Sequence, residues 1–157
     1  MATFTIESNG RLDRTAVYFN GEQLGGLREV FLNLDEEGTF DAIIQYKGTD
    51  GNVHTKQIFT EYLSNLQVVE PTFTEEEATS LRALTIESDG DIEDTILFDN
   101  VGQLEGVVSL FIHIKAGDTP GGIATLFSTK KVPETTEFRH DIAYRNEDGT
   151  VETEGVF

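Results

Sequence analysis

Four carboxylates crowd one turn of the sequence, in the segment SDGDIEDT. They belong to Asp89, Asp91, Glu93 and Asp94. Calcium binds to several oxygen ligands that a turning loop supplies, so this spacing predicts a calcium site in the turn. The EF-hand pattern is absent, since no carboxylate stands at the twelfth position in the right register. The alternative is a solvated acidic turn that holds no cation.

Other chemistry-bearing residues do not form a recognisable catalytic set. The chain has no cysteine, which excludes disulfides, thiolate metal sites and cysteine nucleophiles. His54, His113 and His140 have no metal-ligand spacing. Ser8 and Ser88 precede Asn-Gly and Asp-Gly, where a hydroxyl bonding the turn backbone is a better interpretation than a nucleophile. We therefore expect no enzyme, although an active site between the two repeats described below remains an alternative.

The charge of the chain excludes one large class of partners. A formal net charge of -18 results from 29 acidic and 11 basic side chains among 157 residues. Nucleic acid needs a positive track to replace its counterions, so we expect no nucleic-acid partner. No apolar run has the length of a signal peptide or a membrane helix, so we expect no membrane partner and a soluble chain made in the cytoplasm. An acidic inhibitor of a basic partner remains an alternative.

The elements that would position these residues occur twice. Thr5 to Leu34 aligns without a gap on Thr85 to Ile114, at an offset of 80, and eleven of the thirty positions are identical. The repeat predicts an internal duplication: β repeat 1 at residues 1–70, a linker at 71–80 and β repeat 2 at 81–157. A ten-residue linker favours two domains in contact over one joint sheet system, but the sequence leaves both open.

Short alternating segments between Gly, Asn and Asp turns predict six strands in each repeat. They cover 3–8, 15–19, 28–34, 39–46, 53–62 and 66–70 in repeat 1, and 84–88, 95–98, 107–115, 123–128, 138–144 and 150–157 in repeat 2. In this alignment Ile58 corresponds to Ile142. The fold class is therefore all-β, with two tandem antiparallel six-stranded repeats that resemble a sandwich or a barrel. The spacing of Thr74 and Glu77 predicts a single capped helical turn in the linker.

Phe31 and Phe111 are identical between the repeats, yet both lie on the mainly polar face of the third strand. An apolar residue on such a face is expected to be covered. The cover is either the linker or the other repeat, or it is a neighbouring subunit. We therefore interpret both residues as candidates for protein–protein contact.

A loop of the form T-x-x-x-x-N-x-x-Q-L-x-G leads into an alternating strand and a D-x-x-G hairpin. This pattern resembles the small all-β virion structural proteins, decoration or tail, of tailed phages. The resemblance implies a non-enzymatic assembly protein whose partners are other protein subunits, as a homo-oligomer or with virion proteins, and a location in the virion. It carries over no site residues. The main alternative is a calcium- or glycan-binding β module.

Overall fold

The structure, a computed structural model, describes residues 2–115 and 137–157, and it confirms an all-β antiparallel fold. The first segment contains β1 (Ala2–Ser8), β2 (Thr15–Phe19), β3 (Glu22–Gly25), β4 (Leu27–Asp35), β5 (Phe40–Lys47), β6 (Val53–Gln57) and β7 (Gln67–Val68). A helical turn, α1 (Glu75–Ala78), follows. The second segment contains β8 (Arg82–Ser88), β9 (Ile96–Phe98), β10 (Val107–Lys115), β11 (Glu137–Arg145) and β12 (Val151–Gly155).

The strands form two six-stranded sheets, and each sheet contains strands from both segments. Sheet 1 has the order β7-β3-β2-β1-β8-β9, and sheet 2 has the order β12-β11-β10-β4-β5-β6. Among the described strands neither order closes on itself, so these strands form no barrel. Of the two arrangements that the sequence leaves open, the strand pairing is that of a joint sheet system. The boundaries at 1–70, 71–80 and 81–157 stay a prediction about sequence segments.

The strands that join the two segments pair equivalent residues. In sheet 1, Thr5 of β1 lies opposite Thr85 of β8, and their hydroxyl oxygens are 2.9 Å apart. In sheet 2, Leu32 of β4 lies opposite Ile112 of β10. Both pairs are separated by the same 80 positions as the repeated sequences. This pattern is that of an approximate two-fold axis that passes between β1 and β8 in sheet 1 and between β4 and β10 in sheet 2.

The core lies between the sheets because the strands alternate. On β4, Val30, Leu32 and Leu34 are buried, whereas Phe31 and Asn33 face outward and are half-buried. This confirms the faces that the sequence predicts for the strand. Apolar side chains from both sheets meet in one cluster, whose large and fully buried members include Phe4, Ile6, Tyr46, Ile86, Leu110 and Ile114.

Local turn and cap signals are confirmed in detail. Asn20 and Gly21 both have positive φ, 50° and 84°, and they join β2 to β3 in the two-residue hairpin that Asn-Gly favours. Thr74 caps α1, since its hydroxyl accepts a hydrogen bond from the backbone N–H of Glu77. The side chain of Glu77 accepts one from the N–H of Thr74 in return, which completes the predicted capping box.

One strand was not predicted, one strand prediction needs correction and one cannot be compared. β3 was not predicted as a strand, because four residues between two glycine turns give too short a pattern. The strand predicted at 53–62 ends at Gln57, where the chain turns away from the sheet. The strand predicted at 123–128 lies outside the described residues. Within the described part of the chain, no helix is long and apolar enough to cross a membrane.

The predicted correspondence of Ile58 with Ile142 is wrong in the sheet. β11 takes the place beside β10 that β5 takes beside β4, and both pairs have a register shift at the same point. As a result Tyr144 is equivalent to Tyr46, an offset of 98. The sequence between β10 and β11, residues 116–136, is longer than the hairpin sequence between β4 and β5. Because of this difference in length, the sequence alignment placed β11 against the wrong residues of the first segment.

Candidate interaction surface

Phe31 and Phe111 meet on the outer face of sheet 2, beside the approximate two-fold axis. Their ring centroids are 5.7 Å apart and their planes stand at 89°, so the rings contact edge to face. This is a preferred geometry for aromatic pairs. Both side chains are half-buried. Because Phe31 comes from β4 and Phe111 from β10, each ring is partly covered by the other segment.

Two cationic or ionisable side chains frame the aromatic pair. The guanidinium of Arg139 on β11 lies 4.9 Å from the centroid of the Phe111 ring, in cation–π contact. The imidazole of His113 lies directly opposite Phe31 and contacts its ring edge to face at 5.7 Å. The outer face therefore presents a compact aromatic and basic centre, which we name the Phe pair surface: Phe31, Phe111, His113 and Arg139.

Carboxylates surround this centre. His113 Nε2 lies 2.7 Å from Glu29 Oε2, and His113 Nδ1 lies 2.8 Å from Glu137 Oε2. Arg139 forms a looser pair with Asp141, at 3.6 Å. Each of these groups remains partly solvent-exposed. The surface thus has an aromatic centre and a rim of charged groups that can exchange an internal partner for an external one.

The acidic turn does not form a convergent ligand set. Asp89 Oδ1 accepts a hydrogen bond from the N–H of Asp91, at 3.0 Å, and Asp91 Oδ1 accepts one from the N–H of Glu93, at 3.1 Å. These carboxylates stabilise a 3-10 turn at Ile92–Asp94. In residues 2–115 and 137–157, no group of three or more His, Asp or Glu side chains is arranged to hold a metal ion. Calcium binding stays an untested prediction.

The predicted turn role of the two serines is confirmed. The hydroxyl of Ser8 accepts a hydrogen bond from the N–H of Gly10, and the hydroxyl of Ser88 accepts one from Gly90, both at 3.0 Å. Each hydroxyl also lies within hydrogen-bond distance of the threonine at the other end of the same turn, Thr15 for Ser8 and Thr95 for Ser88. Both serines are fully buried, and their bonds are made within the turn.

The three histidines lie at separate places. His54 pairs with Asp50 at 3.1 Å and stacks on Tyr46, with 5.4 Å between ring centroids. His140 accepts hydrogen bonds at Nδ1 from the backbone of Val156 and Phe157, at 3.1 and 3.3 Å. Desolvation holds the pKa of His140 below its usual value, against a smaller opposing effect of a neighbouring carboxylate.

Sequence reasoning missed one feature, a cleft of about 300 Å³ between the ends of the two sheets. Its apolar lining includes Leu34, Ile92, Leu97, Leu104 and Val107. We name it the edge cleft.

Comparison with protein-family models, with curated proteins and with solved structures gives no match. The function must therefore be argued from the geometry of the chain itself.

Proposed function

We propose that this chain is a non-enzymatic structural protein that assembles with other protein subunits through the Phe pair surface. The observation that carries the proposal is the edge-to-face pair of Phe31 and Phe111 on an outer sheet face. Buried aromatic residues and arginine dominate the energetic centres of protein interfaces, and charged groups form the rim. The arrangement of Arg139 over Phe111, with carboxylates outside, has this composition.

The pairing of equivalent residues supports an origin by internal duplication. Thr5 with Thr85 and Leu32 with Ile112 are the contacts that a symmetric dimer of one ancestral module would make. In that dimer, the strands equivalent to β1 and β4 would each have paired with the same strand of the other copy, before the two modules were joined in one chain. A fused pseudo-dimer keeps two related faces in fixed orientation, which suits a protein that joins subunits.

The setting we propose is a particle such as a phage virion, on the resemblance given above. The chain would contribute rigidity and contacts there. A strongly negative surface keeps such a protein soluble before assembly and disfavours non-specific association with nucleic acid.

The proposal is tested by removing the aromatic centre without disturbing the core. In the variant Phe31→Ser with Phe111→Ser, we expect subunit association to weaken by about 30-fold or more, the effect of losing an interface hot spot. Sedimentation velocity over a hundredfold concentration range measures self-association. Capture from an extract of the producing cells, identified by mass spectrometry, measures association with other subunits.

Tyr62→Ser supplies the matched control, because Tyr62 is an aromatic residue with 85% exposure outside the surface. It should leave association unchanged. The proposal fails if two results occur together: the native chain stays monomeric, and every protein that it captures is also captured by the double variant.

A further inference from the structure

Sheet 1 ends differently in its two halves. On one side β3 is followed by β7, which pairs Leu24 with Val68 and Gly25 with Gln67. On the other side, residues 103–105 are the counterparts of β3, and Gln103 bridges to Phe98 as Gln23 pairs with Tyr18. Beyond residues 103–105, the described part of the chain supplies no further strand.

The segment around β7 completes the first half. Leu63 and Leu66 join the main core cluster. The hydroxyl of Tyr46 donates a hydrogen bond to the carbonyl of Ser64, at 2.7 Å. The amide of Gln23 is buried and makes two hydrogen bonds to Thr72: Nε2 donates to its hydroxyl at 2.6 Å, and Oε1 accepts from its N–H at 2.7 Å.

The equivalent positions of the second half are less covered. Leu24 and Leu27 are buried, whereas their counterparts Leu104 and Val107 are half-buried and line the edge cleft. Gln103, the counterpart of the buried Gln23, is exposed, and its amide makes no hydrogen bond to the described residues. The same side chains that hold the β7 segment in one half therefore face solvent in the other.

From this comparison we propose that the edge cleft binds an extended segment of a different protein subunit, which adds to sheet 1 beside residues 103–105. The inference rests on the proposed function, because it identifies a second contact of an assembly protein. The incoming strand would pair with the backbone as β7 does, place apolar side chains against Leu104 and Val107, and receive backbone hydrogen bonds from the Gln103 amide. Strand addition to an open sheet edge is a common mode of peptide recognition.

One residue that differs between the two halves indicates which kind of segment the edge cleft binds. A Cβ atom at Gly25 would lie 2.6 Å from Cγ1 of Val69, so a larger residue there forces the Val69 side chain to shift. The counterpart of Gly25 is Glu105, which is exposed. In the β7 segment of a second copy of this chain, the Val69 side chain would have to shift to make room for Glu105, which disfavours exchange between copies. A segment with lysine or arginine at the position of Val69 has a single γ carbon that can turn away from Glu105, and its charged end would pair with the Glu105 carboxylate.

The acidic surroundings favour the same occupant. The edge cleft is also lined by Asp35 and Glu36, and Glu36 forms an ion pair with Arg145. Glu105 adds a further exposed carboxylate beside the open edge. We therefore expect a partner segment that is extended, apolar at two positions about three residues apart, and basic at the next outward-facing position.

The probes for a test come from the chain itself. One is a fluorescent peptide with the sequence of residues 60–73, and the other carries Val69→Lys. Fluorescence anisotropy should show that the native protein binds the lysine peptide at least about tenfold more tightly than the unchanged peptide. Glu105→Gly should reverse the preference, because it restores the glycine that leaves room for Val69 and removes the carboxylate that would pair with lysine. Gln103→Ala should weaken both peptides, and Val101→Ala, at an exposed neighbour, should leave both unchanged.

Each outcome decides between occupants. Absence of binding of both peptides to the native protein and to Glu105→Gly overturns the cleft site, while the assembly role of the Phe pair surface remains to be judged by its own variant. Binding that does not respond to position 105 places the peptide in the β7 position and also overturns the proposal. Native dimers that the unchanged peptide dissociates, seen by sedimentation velocity, would show that a second copy is the occupant.

Discussion

Gln23 and Gln103 form a matched pair that measures how much the β7 segment stabilises the fold. They occupy equivalent positions, but only Gln23 is buried, with 2% exposure, and makes two hydrogen bonds to Thr72. Gln103 is exposed. We predict that Gln23→Ala destabilises the protein and that Gln103→Ala does not, although the two substitutions are chemically identical.

The expected size follows from the contacts. A hydrogen bond within a protein contributes about 0.5–1.5 kcal/mol net, so the two bonds to Thr72 contribute about 1–3 kcal/mol. Thr72 itself is exposed and its freed groups can bind water, which keeps the loss from the upper end of this range. We therefore expect about 2 kcal/mol for Gln23→Ala, or a melting temperature lower by about 4–8 °C. Gln103→Ala should stay within about 0.5 kcal/mol.

Urea unfolding followed by circular dichroism gives the free energy of unfolding of both variants, with equal m values as the check on two-state behaviour. Hydrogen exchange of the Val69 amide, which donates to the carbonyl of Gln23 at 2.9 Å, should accelerate in Gln23→Ala alone. Equal losses in the two variants, or a loss below about 0.5 kcal/mol in Gln23→Ala, would refute the reasoning.

Two further predictions concern the edges of the fold. The pKa of His140 is lower in the folded chain than in the unfolded chain, so the unfolded chain binds more protons. The free energy of unfolding should therefore fall as the pH drops below about 6.5. His140→Asn should reduce this dependence in unfolding titrations from pH 8 to 5. The protection of the Val156 amide against exchange, measured relative to its pH-dependent intrinsic rate, should fall over the same range, since the protonated ring cannot accept its hydrogen bond and only the carbonyl of His140 remains as acceptor. Gly25→Ala should lower the free energy of unfolding in urea by about 1–3 kcal/mol, because the added Cβ meets Val69. Glu105→Ala should leave the free energy of unfolding unchanged. Equal effects of the two substitutions would contradict the proposed difference between the two sheet edges.

The parts of the fold that depend on near neighbours could be predicted from the sequence. Asn20-Gly21 gave a hairpin because both residues adopt positive φ at low cost. The alternation of Val30, Leu32 and Leu34 gave the buried face of β4 because the side chains of a strand alternate. In each case the deciding interaction lies within a few residues of the signal.

The pairing of the strands could not be predicted, because it depends on contacts between residues that are far apart in the sequence. Two strands of the same pattern can pair within a segment or across segments, and the linker length favours neither arrangement decisively. The correspondence of Tyr46 with Tyr144 was missed because the longer connection at 116–136 shifts the second segment by 18 positions relative to an offset of 80. Only the shared register of β4 with β5 and of β10 with β11 identifies these tyrosines as equivalent.

The candidate surface was foreseen in part. The positions of Phe31 and Phe111 on the polar face could be read from the alternation, but their contact could not, since it requires β4 and β10 to be neighbours. Arg139 carried no signal, because its position over Phe111 depends on the pairing of β10 with β11.

The asymmetry between the halves argues that folding alone does not explain the second one. Gln103 and Leu104 are identical to Gln23 and Leu24, and in the first half these residues hold the β7 segment. In the second half they face a cleft. The fold makes no evident demand for glutamine at an exposed edge position, whereas a strand-binding site does. The second half has Glu105 where the first half has Gly25, and this difference has the opposite effect, because a side chain there crowds the position that Val69 takes in the first half. Retention of the holding residues together with loss of the permissive glycine is the combination expected of an edge that accepts a foreign strand and rejects its own.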